Sequence, residues 1–131
     1  MAAYTALTAF IPALAEDSFG EWSTEEEIVR AGAKGPWINY TPTTQAFLFT
    51  LDEVAGTFPE GALREEIRAC GIEYSTPGFR AADLQTATPE ALIAMMWTLV
   101  NVEHLREGNL LRFFKEGWML RWLTRLAELD V

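Results

Sequence analysis

At 131 residues, half of them apolar, the chain is long enough for one domain with a packed core, which excludes intrinsic disorder and any need for a disulfide or metal staple. Its formal net charge of -9, from 19 acidic and 10 basic side chains, argues against direct nucleic-acid binding and against an anionic membrane surface, because both require clustered cations. A single cysteine, Cys70, excludes an internal disulfide and a zinc finger, and with no secretory leader and no apolar run near the roughly 20 residues that span a bilayer, the expected compartment is the cytoplasm.

Leu7, Phe10, Ile11 and Leu14 recur at helical spacing, so a first helix is expected from about Ala3 to Ala15, kinked at Pro12 or restarting near Ile11. Ser18-Phe19-Gly20-Glu21-Trp22 reads as a turn with two aromatic anchors. Ser23-Thr24-Glu25-Glu26-Glu27 offers two overlapping capping boxes for a short helix ending at Ala31. Gly32, Gly35 and Pro36 then break the chain, and Trp37-Ile38-Asn39-Tyr40 is extended; with no evident partner strand it is expected to lie as an aromatic strap.

Thr43 or Thr44 is the expected cap of a firm helix carrying Phe47, Leu48, Leu51, Val54, Ala55 and Phe58 on its apolar side. Pro59-Glu60 opens a short surface helix with Leu63 and Ile67 inward and Gly71 as its stop. Ile72 to Thr88 reads as a loop with one helical turn at Ala81 to Leu84. The centre of the fold is the helix from Pro89 to Glu107, apolar from Ala91 to Val100 except at Thr98, capped by Thr88 and stopped at Gly108. A last helical region from Leu110 to Glu128 places Leu111, Phe114, Trp118 and Trp122 inward and Arg112, Lys115, Arg121 and Arg125 on its wet side, with a bend or break at Gly117. The expectation is one all-α domain spanning residues 1–131, of five or six helices, around a central apolar helix with a C-terminal helical hairpin.

Ala82-Asp83-Leu84, Val102-Glu103-His104-Leu105-Arg106-Glu107-Gly108-Asn109-Leu110, Phe113-Phe114-Lys115-Glu116-Gly117 and Trp122-Leu123-Thr124-Arg125-Leu126 together resemble bacterial proteins grouped as domain of unknown function family 6508. Gly20-Glu21-Trp22, the segment Pro36 to Tyr40 and Gly71-Ile72-Glu73-Tyr74 extend that resemblance over most of the chain in the same order. It departs at Asn101, His104 and Leu105, where arginine, arginine and phenylalanine are frequent in the family. The resemblance implies a fold and no activity.

His104 is the sole histidine, flanked on a helix by Asn101, Glu107 and Gly108, and it has two readings: general base or metal ligand, or a structural histidine at a helix end. The structural reading is preferred, since transition-metal sites draw on more than one His or Cys. Glu103 and Glu107 lie one turn apart and would need Asp83 to complete a hard-cation site, but such pairs are commonplace on exposed helices, so no metal and no cofactor are expected. No phosphate loop and no serine nucleophile elbow is present, Cys70 reads as a small core residue, and no catalytic residue is assigned.

Trp97, Trp118 and Trp122 are expected in the core, whereas Trp22 and Trp37 flank an acidic segment and suit either a strap or a partner anchor. The preferred function is therefore a non-enzymatic protein-binding module that docks on a basic partner through Glu21, Trp22, Glu25, Glu26, Glu27 and Trp37. In its sharper form, the carboxylates imitate nucleic-acid phosphates and inhibit a nucleic-acid-binding protein. The rival is an enzyme or small-ligand binder with a cleft at Asp83, Asn101, Glu103, His104 and Glu107.

Overall fold

The computed structural model describes residues 2–131 and is helical except for one two-stranded ribbon. The opening helix divides, as Pro12 requires, into α1 (Thr5–Thr8) and α2 (Ile11–Ala15), with the proline in the first turn of α2 where its missing N–H costs least. Strand β1 (Gly20–Trp22) follows. Thr24 then caps α3 (Glu25–Ala31) in a complete capping box with Glu27, and Gly32 closes it in the left-handed region.

Strand β2 (Ile38–Tyr40) pairs antiparallel with β1 in the register Gly20 to Tyr40, Glu21 to Asn39 and Trp22 to Ile38. The expected lone strap is thus half of a ribbon, and the expected turn at Gly20 to Trp22 is its other half. Three residues are too few to display an alternation that sequence can reveal. Gly20 permits the pairing, since a Cβ there would lie 2.8 Å from the Asn39 carbonyl oxygen.

Helix α4 (Pro42–Ala55) is capped by Thr41, one residue before the Pro42 that fits its first position, and not by Thr43 or Thr44. After α5 (Ala62–Ala69), the loop contains its helical turn earlier than expected, as α6 (Thr76–Arg80), where Ser75 caps and Pro77 opens. Helix α7 (Pro89–Asn101) is capped by Thr88, whose Oγ1 accepts from Ala91 N at 3.1 Å, and it buries Ala91 to Met96, Thr98 and Leu99. It packs against α5, α4, α8 (Asn109–Lys115) and α9 (Trp118–Leu129), which confirms its central place. Its end is a correction: it stops at Asn101, and Glu103–Leu105 form a separate 3-10 turn before Gly108.

Gly117 does break the last helical region, so nine α-helical segments appear among the described residues where five or six were expected. Of the tryptophans assigned to the core, Trp122 is fully buried, and Trp97 and Trp118 are half-buried at the edge of the core cluster. Asp130 reaches back across the fold, its carboxylate accepting from Ala3 N and Tyr4 N at 2.7 Å each, and so ties the residues leading into α1 to the far end of the chain. No helix is long and apolar enough to cross a membrane.

Candidate functional site

The ribbon meets the helical layer at the turn between α7 and α8, and Glu103 organises the meeting. Its Oε2 accepts from Gly108 N at 3.1 Å and from the Tyr40 hydroxyl at 3.2 Å, while Oε1 accepts from Leu110 N at 3.0 Å. A carboxylate that gathers two backbone N–H groups from the far side of a turn favours leaving the helix there, which is why α7 stops short of Glu107. Burial, then the Glu103 charge and hydrogen bond, push the Tyr40 phenol well above its ordinary range.

Gly108 is the second joint. Its φ of 97° lies in the left-handed region, and an added Cβ would fall 2.7 Å from Cζ2 of Trp22, so glycine is required by both conformation and space. The indole of Trp22 therefore rests against the Gly108 backbone, with 42% of the residue still exposed.

Beside that contact opens a cleft of about 550 Å³, with Glu21 and Trp22 on the ribbon side and Arg106 to Asn109, Arg112, Lys115 and Glu116 on the helical side. Glu116 is engaged, accepting from Arg80 Nε at 3.1 Å and Trp118 Nε1 at 3.0 Å. The cations are not. Among the described residues, Arg30, Arg68, Arg80 and Arg125 are ion-paired, and Arg64 and Arg121 lie over the rings of Tyr74 and Trp118. That leaves Lys34, Arg106, Arg112 and Lys115, and the last three line this one cleft.

On the acidic side the carboxylates divide. Asp17 accepts from the hydroxyls of Thr41 and Thr44 and from Phe19 N; burial pushes its carboxyl up, but those hydrogen bonds hold it below the usual carboxylate range. Glu27 accepts from Thr24 N at 2.8 Å, which lowers its carboxyl, and from Asn39 Nδ2 at 3.4 Å. Glu26 pairs with Arg30 at 2.7 Å. Glu16, Glu21 and Glu25 take no side-chain partner among the described residues, and Trp37 is half-buried, its N–H donating to Ser23 Oγ and its indole to Asn39 Oδ1, both at 3.0 Å.

The residues of the rival site are not gathered together. Asp83 caps its own turn, Oδ1 accepting from Gln85 N at 2.9 Å, while the adjoining Leu84 carbonyl accepts from Arg125 of α9. Asn101 and His104 are exposed, Glu107 borders the cleft, and Glu103 is occupied by its three donors. Among the described residues, no three His, Cys, Asp or Glu side chains are placed to share a metal ion. Cys70 is half-buried with Sγ 3.7 Å from Thr88 Oγ1.

In the sequence, Arg112 and Lys115 fall on a solvated helix face and Arg106 has no site role. The i, i+3 spacing of Arg112 and Lys115 is legible in the sequence, but the opposing Trp22 is not, because that contact depends on the ribbon. Comparison of the chain with family models, with curated proteins and with solved structures finds no match.

Proposed function

We propose that this protein is a non-enzymatic, cytoplasmic binding module that docks on a basic surface of a partner protein through the face formed by β1 and α3. The observation that carries this reading is Trp22: it is 42% exposed on a strand, next to Glu21 and within a few residues of Glu25, two carboxylates without a side-chain partner among the described residues. An aromatic residue held on a glycine and framed by charge has the character of an interface anchor. Val29, 75% exposed and one turn after Glu25 on α3, leaves an apolar side chain in solvent beside that carboxylate.

The contacting set is narrower than the acidic composition suggests. Glu26 and Glu27 are engaged by Arg30, Thr24 and Asn39, so they contribute field and not free acceptors, and Trp37 supports the ribbon. Inhibition of a nucleic-acid-binding protein is the sharper form of the same proposal, with the carboxylates in the place of phosphates. The family resemblance to domain of unknown function family 6508 is held alongside it and adds no activity.

The test is affinity capture from an extract of the source cells by the wild-type protein, by Glu21→Gln/Glu25→Gln and by Arg106→Gln/Arg112→Gln. Basic partners should be captured by the wild type, lost with the first variant, and released as salt shortens the Debye length below about 8 Å. Equal capture by the wild type and Glu21→Gln/Glu25→Gln would refute docking through this face. Loss of a measured activity in His104→Ala alone would favour the helix-end reading instead.

A further inference from the structure

We propose that the cleft between β1 and the turn entering α8 binds a small, flat aromatic carboxylate, with Arg106, Arg112 and Lys115 taking the carboxylate and the exposed indole of Trp22 taking the ring. The proposal goes beyond docking on a basic partner and rests on the cations of the cleft, with Glu21 the one charge common to both surfaces.

Its first support is the distribution of cations. In a chain of net charge -9, contacts among the described residues engage six of the ten basic side chains with carboxylates or aromatic rings, and three of the remaining four converge on one concavity. Like charges held together without a counter-ion repel, and an anion between them relieves that repulsion. Guanidinium groups present planar donor forks that match a carboxylate, so two arginines and a lysine can supply both fork and point-charge contacts.

Charge on the rim narrows the ligand further. Glu21 and Glu107 also border the cleft, so against three unpaired cations the local balance is a single positive charge, while Glu116 is neutralised by Arg80. A monoanion satisfies that balance, whereas a nucleic acid or polyphosphate would be repelled by the two carboxylates and by the acidic remainder of the chain. The ring follows from Trp22, whose indole is braced by Gly108 and so offers a surface already ordered for stacking. The volume, about 550 Å³, lies within the range of small-molecule sites, about 300 to 1,000 Å³.

The test uses 2-naphthoate as the probe, with acetate supplying the anion without the ring and 2-naphthol the ring without the anion. Binding to the full chain is measured by titration calorimetry, with the Gly108 and Asn109 amide resonances locating it. Wild-type protein should bind 2-naphthoate saturably with those resonances moving, and acetate and 2-naphthol about tenfold more weakly or not at all. Arg106→Gln/Arg112→Gln, on exposed side chains whose loss leaves the fold intact by circular dichroism, should weaken 2-naphthoate about tenfold; Lys34→Gln should change nothing. Trp22→Leu removes the stacking surface and should weaken 2-naphthoate while leaving acetate as it was. Failure of the wild type to bind 2-naphthoate saturably, equal binding by the double arginine variant, or equal binding of 2-naphthol would each overturn the proposal. Glu21→Gln/Glu25→Gln should retain 2-naphthoate binding, which separates this result from the outcome of partner capture.

Discussion

Glu103→Ala should be among the most damaging substitutions at any ionisable residue of this protein. It removes one acceptor from three donors: Gly108 N at 3.1 Å, Leu110 N at 3.0 Å and the Tyr40 hydroxyl at 3.2 Å. A hydrogen bond to a charged group contributes about 1.5 to 3 kcal/mol, and the three are coupled through one side chain, so their simple sum overstates the loss. Partial hydration of the two backbone N–H groups after truncation reduces it again. A net cost of about 2 to 4 kcal/mol remains, which for a chain of this length lowers the melting temperature by about 10 °C. Glu103→Gln should cost about half as much, because its amide oxygen still accepts while its NH2 now faces a donor. The assays are thermal melting by circular dichroism and hydrogen exchange at the Gly108 and Leu110 amides, which should lose protection selectively. A wild-type melt together with unchanged exchange at both amides would show that the turn does not depend on Glu103, and the account of why α7 ends at Asn101 would fall with it.

Two further outcomes concern the buried phenols and Gly108. Tyr4 is pushed up to about 12 by burial and then by its hydrogen bond to Glu90, and Tyr40 is raised by burial and then by Glu103. A phenol whose folded pKa exceeds its unfolded value of about 10 stabilises the fold fully below that pH and ceases to do so as pH rises through the folded value, so urea stability should decline above about pH 10, and Tyr4→Phe/Tyr40→Phe should flatten the decline. Gly108→Ala should destabilise the protein and displace the indole, since its Cβ would meet Trp22 Cζ2 at 2.7 Å on a residue with φ of 97°; Trp22→Ala added to it should restore part of the loss, and strict additivity in denaturant melts would contradict the contact.

The parts of the fold that sequence reveals are those in which one physical signal dominates over a dozen residues. Helix α7 is apolar nearly all round and is bounded by Thr88 and Pro89, so both its existence and its central place can be read directly. The Thr24 and Glu27 box and the restart at Ile11 are equally local. What escapes is long-range. The ribbon pairs residues 16 to 20 positions apart, each strand too short for periodicity, and the helix end at Asn101 is decided by a side chain that bonds five and seven residues ahead and also reaches Tyr40.

The candidate site illustrates the same limit. Glu21 and Trp22 are legible as a charged aromatic segment, and Glu107 as part of a helix-end group, but that they face one another across a cleft follows from the ribbon. A hard-cation site at Glu103 and Glu107 needs a third carboxylate, for which sequence offers Asp83 of the loop, but in the structure that carboxylate is directed to Gln85. The acidic total misleads for a related reason, because a capping carboxylate and a free one look alike in composition, and Asp17 and Glu27 are of the first kind.

Trp22 stands at the boundary between two electrostatic surroundings, and its substitution affects both readings of the site, so charge substitutions must separate them. Glu21 is the most informative position because it belongs to the docking face and to the cleft wall at once. Glu21→Gln removes an attraction for a basic partner and should slow its association, mainly through the encounter rate. For an aromatic carboxylate the same substitution removes a like charge from the cleft, raising the local balance by one positive unit, and binding should strengthen. The two effects therefore have opposite signs from a single neutralised oxygen pair. Both should shrink as salt rises, since the residue is exposed and screening acts over about 8 Å at physiological ionic strength. A Glu21→Gln variant that moved both affinities in the same direction, or neither, would mean that the ribbon side of Trp22 and its helical side are not the separate surfaces described above.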